Sequence, residues 1–258
     1  MTELSKVGAY SFMAETFHCD FSKRLFYDHL VNYMLNAADF HSTDRQFGML
    51  YLNTIQKTWV LSRFAIEMAE MPLAHEKFSV ETWVESAMRY FTHRNFRMVG
   101  EDGKVYGYAR SIWAMIDTET RQPTDILAIH DGLIQQYTDK EKECPIDRPS
   151  RVQMGDGELV ATVMARYSDI DVNGHVNSAK YIQHVLDTLP MEWYAQYMIQ
   201  RMEVAYVAEA HNGDTLKIYS LPDEAGQTIY FRMTKQSPDD ATEAEVCRIM
   251  VKYVKEKG

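Results

Sequence analysis

The 258-residue chain carries 27 Lys and Arg against 37 Asp and Glu, a net charge of −10. That balance argues against a nucleic-acid binder and gives no help to adhesion on anionic membranes. Hydrophobic residues make up 46%, enough for a sizeable core in one large domain or two smaller ones. The three cysteines (Cys19, Cys144 and Cys247) are isolated, so no disulfide framework is implied. The opening MTELSKVGAY has no basic stretch followed by an apolar one, and no membrane-length apolar run is present. A cytoplasmic protein without stable membrane insertion is the expectation.

A first helix is expected from Ser22 to Ala38. Ser22 would cap it, and Leu25, Phe26, His29, Leu30, Tyr33, Met34 and Ala37 recur at three- and four-residue intervals. A shorter helical piece follows over 43–52. Thr58–Met68, Phe78–Val84, Thr92–Val99 and Val105–Asp117 read as strands rich in aromatic and β-branched residues, with GEDG (100–103) as a turn.

Residues 135–157 are charged, contain two prolines and lack a clean period, so they read as a linker. The order then repeats: an alternating stretch, a helix over Asn177–Leu189 stopped by Pro190, and strands at 199–209, 214–220, 228–235 and 242–254. FAIEMAEMPLAHEKFSVETWV (64–84) lies on MEVAYVAEAHNGDTLKIYSLP (202–222) without a gap, at a shift of 138. Ile66 then falls on Val204, Phe78 on Leu216 and Val80 on Ile218. Identity is very low, but the shared period supports two copies of one helix-plus-sheet unit.

The stretch DIDVNGHVNSAKY (169–181) stands at the start of the second helix. Asp169, Asp171, Asn173 and Gly174 imitate the first half of a calcium loop, but its twelfth position is Lys180, a cation where two carboxylate oxygens are needed. His175 and His184 are nine apart with no partner at zinc spacing. A polar loop feeding a helix N-terminus does suit catalysis. Free N–H groups of Gly174, His175 and Val176 would bind a carbonyl oxygen turning into an anion. His175 is an acid or base near neutral pH, Asn173 can hold a carbonyl or water, and Asp171 can orient the histidine or activate water. A purely structural capped turn is the alternative at this point.

RYSDIDVNGHVNSAKYIQHVLDTLP (166–190) resembles the acyl–acyl carrier protein thioesterases of plants and bacteria, whose signature is D-x-D-x-N-x-H-V-N-N before a tyrosine-containing helix. IQKTWVLSRFAIEMAEMP, FSVETWVESAMRYFTHRNFRM and GYARSIWAMIDTETRQP resemble that family's first half, in the same order. The resemblance implies an α+β fold of two tandem hotdog domains, each a long helix packed against an antiparallel sheet. They would occupy 1–140 (acyl-chain binding) and 158–258 (catalysis), joined by a linker over 141–157.

It also implies hydrolysis of fatty acyl-[acyl carrier protein] to free fatty acid, with acyl-CoA hydrolysis or a non-catalytic acyl-carrier module as alternatives. The family's catalytic Asp, Asn and His match Asp171, Asn173 and His175. YVAEAHNGD (206–214) resembles its Y-R-x-E-C-x-x-D-D, which puts Glu209 on the catalytic glutamate and Asp214 on the second aspartate. Plant members have cysteine after that glutamate, whereas this chain has Ala210, so water is the expected nucleophile. The resemblance places chain-length selection in the first domain, where Leu30, Met34, Phe40, Met49, Trp59 and Phe64 are candidates to line an acyl tunnel. No cofactor is expected. The implied partner is acyl carrier protein, met by a monomer or homodimer, with local arginines such as Arg89, Arg94, Arg97, Arg121, Arg166 and Arg201 as docking candidates.

Overall fold

A computed structural model describes residues 4–240 and 242–256. The chain forms two compact units that part between Pro149 and Ser150.

In the first unit β1 (Val7–Met13) precedes α1 (Tyr27–Asp44) and the short α2 (Met49–Thr54). Four longer strands follow: β2 (Lys57–Met68), β3 (Lys77–Ala87), β4 (Phe91–Gly100) and β5 (Val105–Asp117). Their order is β1-β3-β4-β5-β2, and each of these pairings is antiparallel. Alternation sets the face each side chain takes. Phe78, Val80, Thr82 and Val84 of β3 are buried, as are Phe96 and Met98 of β4. Against them α1 turns Leu30, Met34, Ala37 and His41, one helical stripe at three- and four-residue spacing.

The second unit repeats this plan. It contains β6 (Glu158–Met164), α3 (Ser178–Leu186), α4 (Met191–Tyr194), β7 (Tyr197–Tyr206), β8 (Thr215–Pro222), β9 (Thr228–Gln236) and β10 (Ala244–Lys255). Its strand order is β6-β8-β9-β10-β7, the same path as in the first unit, and again antiparallel. Register agrees as well as order. Tyr10 of β1 pairs with Val80, and Ala161 of β6 pairs with Ile218.

Several boundaries differ from expectation, each for a local reason. The first helix starts at Tyr27 rather than Ser22. Residues 24–26 are instead drawn into extended pairing, with Leu25 N–H donating to Pro72 O at 3.0 Å and Phe26 N–H to His18 O at 2.9 Å. Ser22 caps nothing, because its N–H donates to the Asp20 carboxylate of a turn at 2.7 Å. The second helical piece is Met49–Thr54, later than 43–52, since α1 itself runs on to Asp44. The edge strand β1 had no counterpart in the sequence reading. Its outward face, Ala9, Ser11 and Met13, mixes small, polar and apolar residues and does not stand out from a loop. The charged segment before the boundary is in part packed: Asp139 N–H donates to Val84 O, Cys144 and Ile146 cover Trp83, and Arg148 pairs with Glu85 at 2.5 Å.

Candidate active site

After β6 the chain makes a single tight turn, Tyr167–Asp169, held by the Asp169 carboxylate on Arg166 N–H at 2.8 Å. The chain then makes a small loop and pairs back, Ile170 against Val176. Asp171 N–H donates to His175 O at 2.9 Å and Gly174 N–H to Asp171 O at 3.0 Å. Gly174 has φ +82°, a left-handed turn that glycine adopts without cost. Asn177 then caps α3, its side chain accepting from Ala179 N–H at 2.9 Å.

Glu209 comes from the loop after β7, not from a strand reaching 209 as expected, because β7 ends at Tyr206. That loop is pinned at Ala210, which is fully buried. Val176 N–H donates to Ala210 O, and Ala210 N–H donates to the Tyr181 hydroxyl, both at 2.8 Å. Burial holds the Tyr181 phenol well above its ordinary range, so it stays neutral as an acceptor for this amide. Lys235 Nζ donates to Glu209 O at 2.6 Å from β9.

This framework brings His175 and Glu209 together. His175 Nε2 lies 3.3 Å from Glu209 Oε2, with both side chains about a quarter to a third exposed. It does not bring Asp171 into that pair. The Asp171 carboxylate accepts from Asn173 N–H at 2.8 Å and closes the turn. Asn173 itself is exposed at the loop tip, and its amide group has no hydrogen bond among the described residues. The expected oxyanion set also narrows. Gly174 N–H and Val176 N–H are spent on Asp171 O and Ala210 O. His175 N–H alone has no acceptor among the described residues.

The first unit contains the same loop without the same side chains, offset by 151 residues for 20–25 against 171–176 and by 138 for 71–76 against 209–214. Asp20 N–H donates to Arg24 O at 2.8 Å and Lys23 N–H to Asp20 O at 2.9 Å. The Asp20 carboxylate takes Ser22 N–H at 2.7 Å, as Asp171 takes that of Asn173. Glu76 takes Leu73 N–H at 2.9 Å, as Asp214 takes that of His211 at 2.9 Å. Lys23 carries φ +65° where Gly174 stands.

What both loops share is scaffold: the aspartate of the turn, the later carboxylate and the backbone ladder. What differs points to chemistry. Arg24 occupies the place of His175, Met71 that of Glu209, Ser22 that of Asn173 and Leu73 that of His211. One framework bond also differs: Arg24 N–H donates to Asp20 Oδ1 at 2.9 Å, whereas its equivalent, His175 N–H, is left without such a bond. The sequence reading found the 138 shift but missed the second one, although DFSKRL against DVNGHV carries it. It also missed His211, whose ring meets that of His175 edge to face at 4.9 Å.

The tunnel candidates do not form one group. Leu30, Met34 and Phe64 have essentially no exposed surface and are core residues of the helix–sheet interface. Trp59 packs in a separate cluster with Phe47, Leu52, Met115 and Ile126, its indole N–H donating to Phe47 O. Phe40 is 44% exposed and lies against Tyr10, and Met49 is half-buried at the start of α2. Among the arginines, Arg94 and Arg201 are buried and Arg97 is paired with Glu81 at 2.8 Å, which withdraws all three from docking. Burial also pushes the Cys144 and Cys247 thiols up, away from the reactive thiolate. No helix among the described residues is long and apolar enough to cross a membrane, and no group of three or more His, Cys, Asp or Glu is placed to hold a metal ion.

Family models of the acyl-ACP thioesterase N-terminal domain and C-terminal domain match residues 7–137 and 156–255. The chain is similar to an acyl-ACP thioesterase of Bacteroides thetaiotaomicron of known structure, at 46% identity over 96% of this chain and 98% of that one, with a TM-score of 0.87. The structure of a 12:0-ACP thioesterase from Umbellularia californica superposes at a TM-score of 0.82 over 99% of this chain and all of that one, but at 18% identity it speaks for the fold alone. Among curated relatives, oleoyl-acyl carrier protein thioesterase 2 of Arabidopsis thaliana chloroplasts is 23% identical over 79% of this chain. The chloroplast palmitoyl-acyl carrier protein thioesterase of Gossypium hirsutum is 24% identical over 62%. The matches span 59% and 40% of those two relatives' lengths, so this chain accounts for about half of each. The two units are therefore tandem hotdog domains, which agrees with the opposed helix and sheet in each.

Proposed function

The chain belongs to the acyl-ACP thioesterase family, and from that membership we propose that it hydrolyses the thioester between a fatty acyl chain and the phosphopantetheine arm of acyl carrier protein. The observation that carries this reading is the His175–Glu209 pair, 3.3 Å apart, where the matching places of the first unit hold Arg24 and Met71. Glu209 takes a proton from water as the oxygen attacks the thioester carbon. His175 holds the carboxylate in line, and its own main-chain N–H receives the developing oxyanion. Asn173 positions the substrate carbonyl or the water. Asp171 acts on the chemistry through the turn it closes, by aiming Asn173 and the His175 amide. Collapse of the tetrahedral intermediate breaks the C–S bond and releases the fatty acid and the pantetheine thiol.

No cysteine attacks in this scheme. The position after Glu209 is Ala210, a buried methyl, and the two most buried thiols are held in their protonated form. The first unit is the proposed seat of acyl-chain selection, and Leu30, Met34, Phe40, Met49, Trp59 and Phe64 remain its candidates. Acyl carrier protein is the proposed partner, reached through exposed local positives such as Arg121 and Arg166 rather than through net charge; Arg89, like Arg97, is paired, with Asp125 at 3.1 Å. The test is a hydrolysis assay of purified protein on acyl carrier protein and CoA thioesters of several acyl lengths. Higher kcat/KM on the carrier-protein thioesters is expected. Equal or better turnover of CoA thioesters overturns the substrate assignment, and absence of turnover on both overturns the activity.

A further inference from the structure

We propose that His211 is a further catalytic residue, whose imidazole protonates the sulfur of the departing pantetheine thiol; this rests on the reading of the site as a thioester hydrolase. Four of the positions at which the two loops differ carry the side chains singled out above. Three of them, Asn173, His175 and Glu209, are already given roles above. The fourth is His211, where the first unit carries Leu73. Scaffolding does not demand a histidine there, because Leu73 makes the same backbone bond to its carboxylate, 2.9 Å in each case.

The placement of the ring suits a proton donor. It meets the His175 ring edge to face at 4.9 Å, beside the pair that activates water. Its Nδ1 lies 3.9 Å from the Asp214 carboxylate, which is almost fully buried and fixed by His211's own N–H. Lys235 lies 3.9 Å from the same carboxylate, so the charged and titratable groups around the imidazole are His175, Asp214, Lys235 and, across His175, Glu209. The reacting form is the imidazolium: Asp214 lies on the Nδ1 side, which leaves Nε2–H as the donor to the substrate. The side chain is 53% exposed, so it regains its proton from solvent.

The step balances without any further reactant. Water loses one proton to Glu209, and its oxygen forms the new C–O bond. The C–S electron pair leaves on sulfur, and Nε2–H of His211 delivers one proton to it. Glu209 then releases its proton to solvent and His211 takes one up. The net reaction is thioester plus water to carboxylic acid plus thiol.

The experiment compares wild type, His211→Gln and His211→Leu on two thioesters of one acyl chain, one with pantetheine and one with an aryl thiol as leaving group. An aryl thiolate departs without a proton, whereas an alkyl thiolate benefits from one. Both variants are expected to lose about tenfold or more in kcat on the pantetheine ester, within the range for a positioned general acid, and less than about threefold on the aryl ester. Glu209→Gln should lose activity on both alike. Equal losses of the His211 variants on the two esters, or no loss on the pantetheine ester, overturn the proposal. His211→Leu copies a residue that the matching loop already accommodates. If it nonetheless melts early, the folded His211→Gln variant decides by the same ratio. Failure of the functional reading looks different, since wild type itself then hydrolyses neither ester, and that outcome overturns both.

Discussion

Asp171 and His175 lie four positions apart in one motif, yet they have different work. The Asp171 carboxylate takes the Asn173 N–H as Asp20 takes that of Ser22 in the other loop, so this bond belongs to the turn. His175 and Glu209 have no such doubles. His175→Ala and Glu209→Gln are expected to lower kcat by roughly 10²-fold or more each, with smaller changes in KM. The double variant should lose far less than the product of the two, because both side chains serve one water. Asp171→Asn keeps an oxygen that can accept the Asn173 N–H. It should therefore retain more activity than Asp171→Ala, which leaves that amide without its acceptor and loosens the turn. Steady-state kinetics on the four variants separates the roles, and an Asp171→Asn enzyme as dead as Glu209→Gln would put the aspartate back among the reacting groups.

The elements that carry the loop were readable to different degrees. Asn177 was legible as a helix start because an amide before an apolar 3.6-residue period has one common use. Asn177→Ala should cost about 1 kcal/mol in denaturant unfolding, the typical worth of a side-chain cap. The long strands were legible from alternation and aromatic content. The start of α1 was not. Leu25 and Phe26 satisfy a helical stripe as well as a strand, and the partners at Pro72 O for Leu25 and His18 O for Phe26 decide for extended backbone. Glu209 was placed by likeness to a motif, but its presence in a loop rather than at a strand end depends on Tyr181 and Val176 gripping Ala210 from both sides. His211 gave no local signal, since its meaning comes from a ring contact across 36 residues.

Within the first unit the α1–β3 interface holds an ionisable group that links stability to pH. His41 is fully buried and hydrogen-bonded through Nε2 to Lys6 O at 3.0 Å. Burial first, and then the nearby Arg94 and Arg45, push its pKa down to about 2. The folded pKa thus lies below the unfolded value of about 6.5, so the unfolded chain takes up the proton first. The stabilisation is present above about pH 6.5 and is lost progressively as pH falls from there toward about 2. Between pH 7 and 5 this one group should remove about 2 kcal/mol of unfolding free energy. His41→Gln, which keeps a donor for Lys6 O, should flatten that decline by a similar amount in urea melts at the two pH values. An unchanged slope would show that His41 is protonated in the folded state. No sequence pattern announces such a residue. Histidine on an apolar stripe reads the same whether neutral and buried or charged at the rim, and burial in the folded unit, with Arg94 and Arg45 adding to it, settles which.

The paired loops also fix a count. A chain with two like folds invites the arithmetic of two reactions, yet only one of the loops presents an imidazole and a carboxylate, while the other presents a guanidinium and a thioether at those places. On the proposed mechanism turnover is carried by a single centre in every polypeptide, whatever number of polypeptides associate. Titration with a tight-binding, unhydrolysable analogue of the thioester should stop at one equivalent per chain, with no second, slower phase of inhibition. On that proposal the other half of the length supplies no reacting group, and Ser22, Arg24, Met71 and Leu73 are free of the constraint that reactivity sets on their counterparts.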